Sequence, residues 1–207
     1  MNLIKKLPRL IFLNLLWLLC SIPVITIGTS TCAAFAVALR IADDDEEVSS
    51  VRGITARFFK AFKQDLIQGF LILIFTAVTF GLGGYFIYLA WDSGLNIIKI
   101  GLLAGYFLVV LVFNFYSYPL IARYSNSFAN TLRNSLAFFA QYANPSLKTL
   151  GLVILEAAVL ALTFKVYFAG ILILPSLIIY TISCTAKDIF VKMENPAPVE
   201  EEPAEIE

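Results

Sequence analysis

The chain has 207 residues, 59% of them hydrophobic and only 14% charged, with a mean hydropathy of +0.83. Soluble domains carry about 25% charged residues, so this composition excludes an ordinary water-soluble fold and predicts a polytopic membrane protein. Bases and acids number fifteen each and histidine is absent, which removes Ser-His and Cys-His catalysis and the usual zinc sites.

The opening stretch, Leu10 to Ile41, carries Arg40 as its only charge. A helix needs about 20 apolar residues to cross a ~30 Å hydrocarbon core. As one rod this run would reach roughly 48 Å at ~1.5 Å per residue, so it either tilts and overhangs or folds back at Pro23 to Gly28. Folding back gives short arms, Lys5 to Ile22 and Thr29 to Ile41. That predicts a shallow or re-entrant hairpin whose turn is buried by protein, so that its freed backbone groups find partners. Thr26, Thr29, Ser30 and Thr31 are placed to supply hydroxyls, and Ser30, Ala34 and Ala38 form a small-residue seam. Lys5, Lys6 and Arg9 ahead of an apolar run look like a signal peptide. The run is too long and lacks a clear cleavage site, so it is read as retained.

The acidic DDDEEVSS segment after Ala42 is expected to be solvated. In ITARFFKAFKQDL, Ile54, Phe58, Phe62 and Leu66 share one helical face while Arg57, Lys60 and Lys63 point elsewhere. This is a basic amphipathic helix for the headgroup boundary, or the cytoplasmic end of the next span. Leu66 to Trp91 is that span, with Trp91 as interfacial anchor. The third run, Asn96 to about Ile121, holds Gly101 and Gly105 in a GxxxG spacing, read as packing within the chain rather than dimerisation. Pro119 is expected to limit this helix. Ser125 to Tyr142 is read as a second surface helix with an apolar stripe of Phe128, Leu132, Leu136 and Phe139 opposite Asn126, Asn130, Arg133 and Asn134. Asn144-Pro145 supplies an N-cap and first-turn proline for the fourth run, Ser146 to about Phe164. A connection around Lys165 to Gly170 leads to the last run, which contains Pro175 and ends near Ala186. The acidic, proline-rich residues 193–207 are expected to be a disordered tail, leaving 1–192 as one helical membrane domain.

Bases in short loops mark the cytoplasmic side. If Leu10 to Ile41 crosses once, the bases divide ten against five; if it doubles back, thirteen against two, with only Lys99 and Lys165 opposite. The second division obeys the rule better and puts both termini in the cytoplasm. The expected fold class is therefore all-α: a polytopic helical membrane protein with an N-terminal Pro-broken helical hairpin, four further transmembrane helices and two amphipathic helices on the cytoplasmic side.

Three stretches together resemble a family. NLLWLLCSIPVITIGTSTCAAFAVAL, FFKAFKQDLIQG and YPLIARYSNSFANTLRNSLAFF, in that order, are similar to the YesL-like family of bacterial multi-pass membrane proteins of unknown function. The resemblance covers about Asn14 to Tyr180. It implies a bacterial cell-membrane location and, because members are often encoded beside sugar-uptake ABC transporters, an association with carbohydrate import. The family has no established catalytic or binding residues to carry over.

The chemistry legible in the residues is sparse. Cys20, Cys32 and Cys184 lack metal-ligand spacing and read as small packing residues, and no cofactor is implied. There is neither a GxxxxGK[ST] loop nor a GxGxxG fingerprint, and an enzyme is not expected. Glu156 is the one carboxylate clearly inside a span, a functional candidate by default. Its two readings are a protonatable group facing a cavity, or a structural contact to Asn114 or Thr76. Asn114, Asn14 and Tyr116 are further polar groups at membrane depth, suited to interhelical hydrogen bonds. Arg52, Arg57, Lys60 and Lys63, with Arg133 and Lys148, could contact anionic lipid headgroups or merely set orientation. They lie between membrane segments, so nucleic acid is not an expected partner; a homo-oligomer is compatible with the sequence but not indicated by it. Two functions follow: a non-enzymatic accessory or assembly factor for a carbohydrate ABC-type permease, or a small transporter or channel with a site at Glu156.

Overall fold

The computed structural model describes residues 3–124, 127–166, 170 and 173–194. Among them every regular element is helical: α1 Leu3–Ser21, α2 Ile27–Ala42, α3 Val51–Gln64, α4 Leu66–Asp92, α5 Ile97–Arg123, α6 Phe128–Gln141, α7 Ala143–Val166 and α8 Leu174–Glu194. Five segments are long and apolar enough to cross a membrane: Val24–Ala42, Leu66–Asp92, Ile97–Arg123, Ala143–Leu162 and Leu174–Glu194. Ser125 and Asn126, most of the connection before α8, and 195–207 lie outside the described residues.

The chain reverses between α1 and α2. Ser21 ends α1, Pro23 leads into a short 3-10 turn at Val24–Thr26, and α2 then runs back along α1. Lys6 Nζ donates to Ile41 O at 2.8 Å and Trp17 Nε1 to Thr31 Oγ1 at 3.1 Å, pairings that only antiparallel arms permit. The turn is not covered by protein, contrary to expectation: Ile22, Val24 and Ile25 are 74%, 70% and 65% exposed. Its backbone is satisfied locally, because Thr26 Oγ1 lies 2.6 Å from Cys20 O and 2.7 Å from Pro23 O. Thr29 and Thr31 also find carbonyls, at Leu66 and Ile27, whereas the buried Ser30 hydroxyl has no partner among the described residues.

Helix α2 is the axis of the molecule. It packs on α1, α3, α4, α5 and α8, and its face is built from small side chains that let neighbours approach. Ala34 and Ala38 are wholly buried. The tightest approach is at Gly28, where an added Cβ would lie 2.1 Å from Gly69 O and 2.9 Å from the Gly69 carbonyl carbon.

Several sequence expectations shift. The apolar face of α3, with Ile54, Phe58 and Ala61 buried, packs on α2 rather than standing free for lipid. Leu66 is 48% exposed and starts α4 instead of continuing that face. In α6 the buried residues are Thr131, Ser135 and Phe138, not the predicted stripe, and Leu136 is 47% exposed. Ser117 on α5 turns that face inward by bonding Ser135 at 3.0 Å. Pro119 does not end α5, which continues to Arg123. Asn144 is not an N-cap, since α7 begins at Ala143 and includes it. An added Cβ at Gly101 or Gly105 would meet nothing within 4 Å among the described residues, so the GxxxG pair is not used for packing between them. Finally, α8 runs past Ala186 and takes in Met193 and Glu194.

Gly28→Ala is expected to destabilise the protein by about 1–3 kcal/mol, because backbone rather than a flexible side chain must move. Gly84→Ala, in open space within α4, is expected to be neutral or stabilising by up to about 1 kcal/mol. Thermal unfolding of both variants in detergent measures the difference.

Candidate functional site

The polar residues at membrane depth are dealt out to different helix pairs. Asn14 on α1 is fully buried, and its Oδ1 accepts from the Ser176 backbone N–H at 3.1 Å. That N–H lies in the first turn of α8, where no intrahelical acceptor exists, so a side chain from another helix supplies the cap. Asn114 on α5 accepts from Thr76 Oγ1 on α4 at 2.6 Å and donates to Val110 O at 2.9 Å. Glu156 on α7 accepts from Thr181 Oγ1 on α8 at 2.8 Å, while its Oε2 is buried with no partner among the described residues. The predicted contact of Glu156 with Asn114 or Thr76 is therefore not made; those two bond each other. Tyr116 is wholly buried and its hydroxyl meets Ser146 at 2.7 Å, tying α5 to α7. The structure brings Glu156, Asn114 and Asn14 into no common site.

The charged end of the bundle is organised around the last turn of α2. Lys6 from α1 and Lys187 from α8 donate to Ile41 O and Ala42 O, at 2.8 and 3.0 Å. Cations at a helix C-terminus meet the unsatisfied carbonyls and the negative end of its dipole. The same lysines pair with Asp44 at 2.7 Å and Asp43 at 3.2 Å. Asp44 adopts φ 55°, a left-handed conformation that Asp tolerates better than most residues, and this turns the chain toward α3. Its bond to Lys6 holds the carboxyl below the usual range. Arg40 bonds Asp45 and Glu47. The acidic segment expected to be merely solvated is thus a clasp joining α1, α2 and α8. Sequence reasoning missed it because the lysines and the arginine that answer its carboxylates lie on α1, α2 and α8, outside the acidic segment itself.

The predicted lipid contacts divide. Arg52, Lys60, Lys63, Arg133 and Lys148 are exposed, but Arg57 is half-buried and faces inward. Nearby, Asp65 at the α3–α4 junction is only 8% exposed. Burial pushes its carboxyl up to about 6, with the Arg57 guanidinium opposing the shift.

Residues 10–89, from within α1 almost to the end of α4, match the family model described as a protein of unknown function, DUF624. The YesL-like resemblance fits: those proteins are members of DUF624. The DUF624 match includes the chain reversal, the acidic segment of the clasp and the Gly28–Gly69 contact, while Lys6 and Lys187 lie outside it. Neither the curated proteins nor the solved structures give a match. Helices of this apolarity, with this match, make the chain a helical membrane protein of unknown function.

The Asp65 shift has a definite sign. The folded-state value lies above the unfolded value of about 3.9, so between the two the folded form binds the proton more tightly and stability falls as pH rises. The loss is complete above about pH 6. Asp65→Asn should raise stability at about pH 8 by on the order of 1–3 kcal/mol and flatten the slope between about pH 4 and pH 6. Thermal unfolding across pH is the measurement, and an unaltered slope would assign the titration to another group.

Proposed function

We propose that this protein is a non-enzymatic accessory or assembly factor of the bacterial cell membrane, associated with a carbohydrate ABC-type permease. The observation that carries the reading is the pairing of intramembrane polar groups. Thr76 with Asn114, Thr181 with Glu156 and Asn14 with the α8 backbone are spent between neighbouring helices, each interhelical bond contributing about 0.6 kcal/mol. A conduit needs such groups turned toward a path. The permease association rests on the YesL-like resemblance alone.

In the topology we propose, the α1–α2 hairpin and α4, α5, α7 and α8 all enter the bilayer. Both termini, α3 and α6 then lie on the cytoplasmic side. The convergence of Lys6, Asp43, Asp44 and Lys187 at one end of the bundle supports it. So does the position of Lys99 at the opposite α4–α5 turn, where its Nζ donates to Ser93 O and Gly94 O at 3.1 and 2.8 Å. Exposed Arg52, Lys60, Lys63, Arg133 and Lys148 then face anionic headgroups, worth about 1 kcal/mol per charge near the surface. A second reading, a small transporter or channel, is favoured by one feature, the buried Glu156 Oε2 without a partner among the described residues.

Two measurements test these readings. A cysteine at Ser93 should react with a membrane-impermeant maleimide in intact cells, and one at Ser49 only after permeabilisation; the reverse pattern sinks the topology. For function, mild-detergent purification from the native host should recover a sugar permease in stoichiometric amount, and liposomes holding this chain alone should show no sugar or proton flux. Flux that Glu156→Gln abolishes would establish the transporter instead.

A further inference from the structure

A cavity of about 300 Å³ lies between α2, α3 and α5 at the charged end of the bundle. Arg40, Arg57 and Arg123 stand in its wall with Asp43 and Asp45, and apolar side chains of α2 and α5 complete it. Most of these charges are already answered. Arg40 bonds Asp45 and Glu47, Asp43 pairs with Lys187, and Arg123 pairs with Glu194 at 2.8 Å. Arg57 is different. Among the described residues it makes no salt bridge, and its Nε is buried without a hydrogen-bond partner. Burial, and then the like charge of Arg40, lower its affinity for its proton, against the smaller individual pulls of Glu47, Asp65 and Asp45.

A buried guanidinium donor left unanswered beside a second guanidinium is an arrangement that an anion relieves. The planar fork of arginine matches the oxygens of a phosphate, and charge-assisted bonds of this kind are about twice as strong as neutral ones. Volume and charge narrow the ligand further. The cavity is at the small end of ligand sites, which run from about 300 to 1,000 Å³, and Asp43 and Asp45 disfavour a polyanion. Glu194 is 43% exposed at the side chain, so its hold on Arg123 is exchangeable.

We propose that this cavity binds a single phosphate group, with Arg57 as the principal donor and Arg40 and Arg123 flanking it. The phosphate comes either from an anionic phospholipid headgroup or from free solution, and the site does not depend on the accessory or the transporter role.

The test uses the full chain, purified in detergent and delipidated. One arm titrates inorganic phosphate and follows thermal unfolding; the other compares retention of phosphatidylglycerol with that of phosphatidylcholine by native mass spectrometry. Stabilisation by phosphate assigns a soluble source, and selective retention of phosphatidylglycerol assigns the headgroup. In the arm that binds, Arg57→Gln is expected to weaken binding about tenfold or more, and Arg52→Gln, on the exposed side of the same helix, less than about threefold. Arg57→Lys keeps the charge without the fork and decides the matter if Arg57→Gln does not fold, since it should bind more weakly than the unaltered chain. Absence of binding in both arms, equal losses for Arg52→Gln and Arg57→Gln, or undiminished binding by Arg57→Lys would each overturn the site.

Discussion

The packing of α2 against its neighbours is the constraint on which the other arrangements depend. Thirteen of its sixteen residues are buried, so this apolar helix spends its surface on protein rather than on lipid. Bilayer chains are as apolar as leucine, so hydrophobicity gives no drive for helix association inside a membrane; close van der Waals contact does. Gly28, Ala33, Ala34, Ala36 and Ala38 supply that contact by leaving room for backbone to meet backbone. At Gly28 and Gly69 the approach is so close that neither position has space for a methyl group. Because α4 is held there, its base is fixed beside α2, and α5 follows through Phe35 stacked on Tyr118 at 6.1 Å.

The electrostatic clasp works on the same helix from its other end. Four carbonyls at a helix C-terminus lack intrahelical donors, and here two of them receive lysines from α1 and α8. Lys6 is 5% exposed, a depth at which an ammonium is costly unless it is answered. It is answered three times, by Ile41 O, by Asp44 and by the face of Tyr180, whose ring centroid is 5.8 Å away. Packing at Gly28 and charge at Ile41 to Asp44 therefore fix α2 at both ends. The arginine-lined cavity lies at the second of those points, with Asp43 of the clasp in its wall.

Much of this arrangement was legible in the residues, and what was not has a physical cause. Hydrophobic runs located the long helices because a ~30 Å core demands about 20 apolar residues whatever the fold. Pro23 marked the chain reversal because proline disfavours a helix interior and the apolar run around it is too long for one crossing, although Pro119 shows that a proline alone does not end a helix. Face assignments failed where the partner was protein. Leucine and phenylalanine positions in α6 suggested one stripe, yet Ser135 is buried where its hydroxyl meets Ser117, and Thr131, whose hydroxyl donates to Ser127 O, is buried on the same face. Composition cannot reveal that, since a serine counts as polar until its partner is known. Glu156 was visible as an isolated carboxylate, but its partner Thr181 lies on another helix, at a register no periodicity encodes. Arg57 looked like one of four surface bases on its helix; only the turn that brings α3 back along α2 sets it beside Arg40.

The α4–α5 hairpin carries the opposite logic. Near its base Gly69, Ile72, Val110, Val112 and Phe115 are buried, whereas from Val78 to Leu89 and from Ile97 to Val109 the large side chains are mostly exposed. A soluble monomer rarely shows apolar surface on that scale, and in lipid the same surface needs no cover. What such a hairpin does need is internal satisfaction of its polar groups. Thr76 with Asn114, Tyr106 donating to Thr79 O at 2.6 Å, and Lys99 folded onto the Ser93–Gly94 turn meet that need at three levels along its length. Gly101 and Gly105 present bare backbone on the open side of α5, while the opposite side packs on α4 through Tyr106 and Phe107. The molecule thus divides its helices by solvent: the small-residue bundle around α2 is specified by protein contacts, and the hairpin beyond it by its fit to hydrocarbon. A substitution that is neutral in the hairpin can be severe in the bundle even when the residue type is the same, as the contrast between Gly84 and Gly28 illustrates.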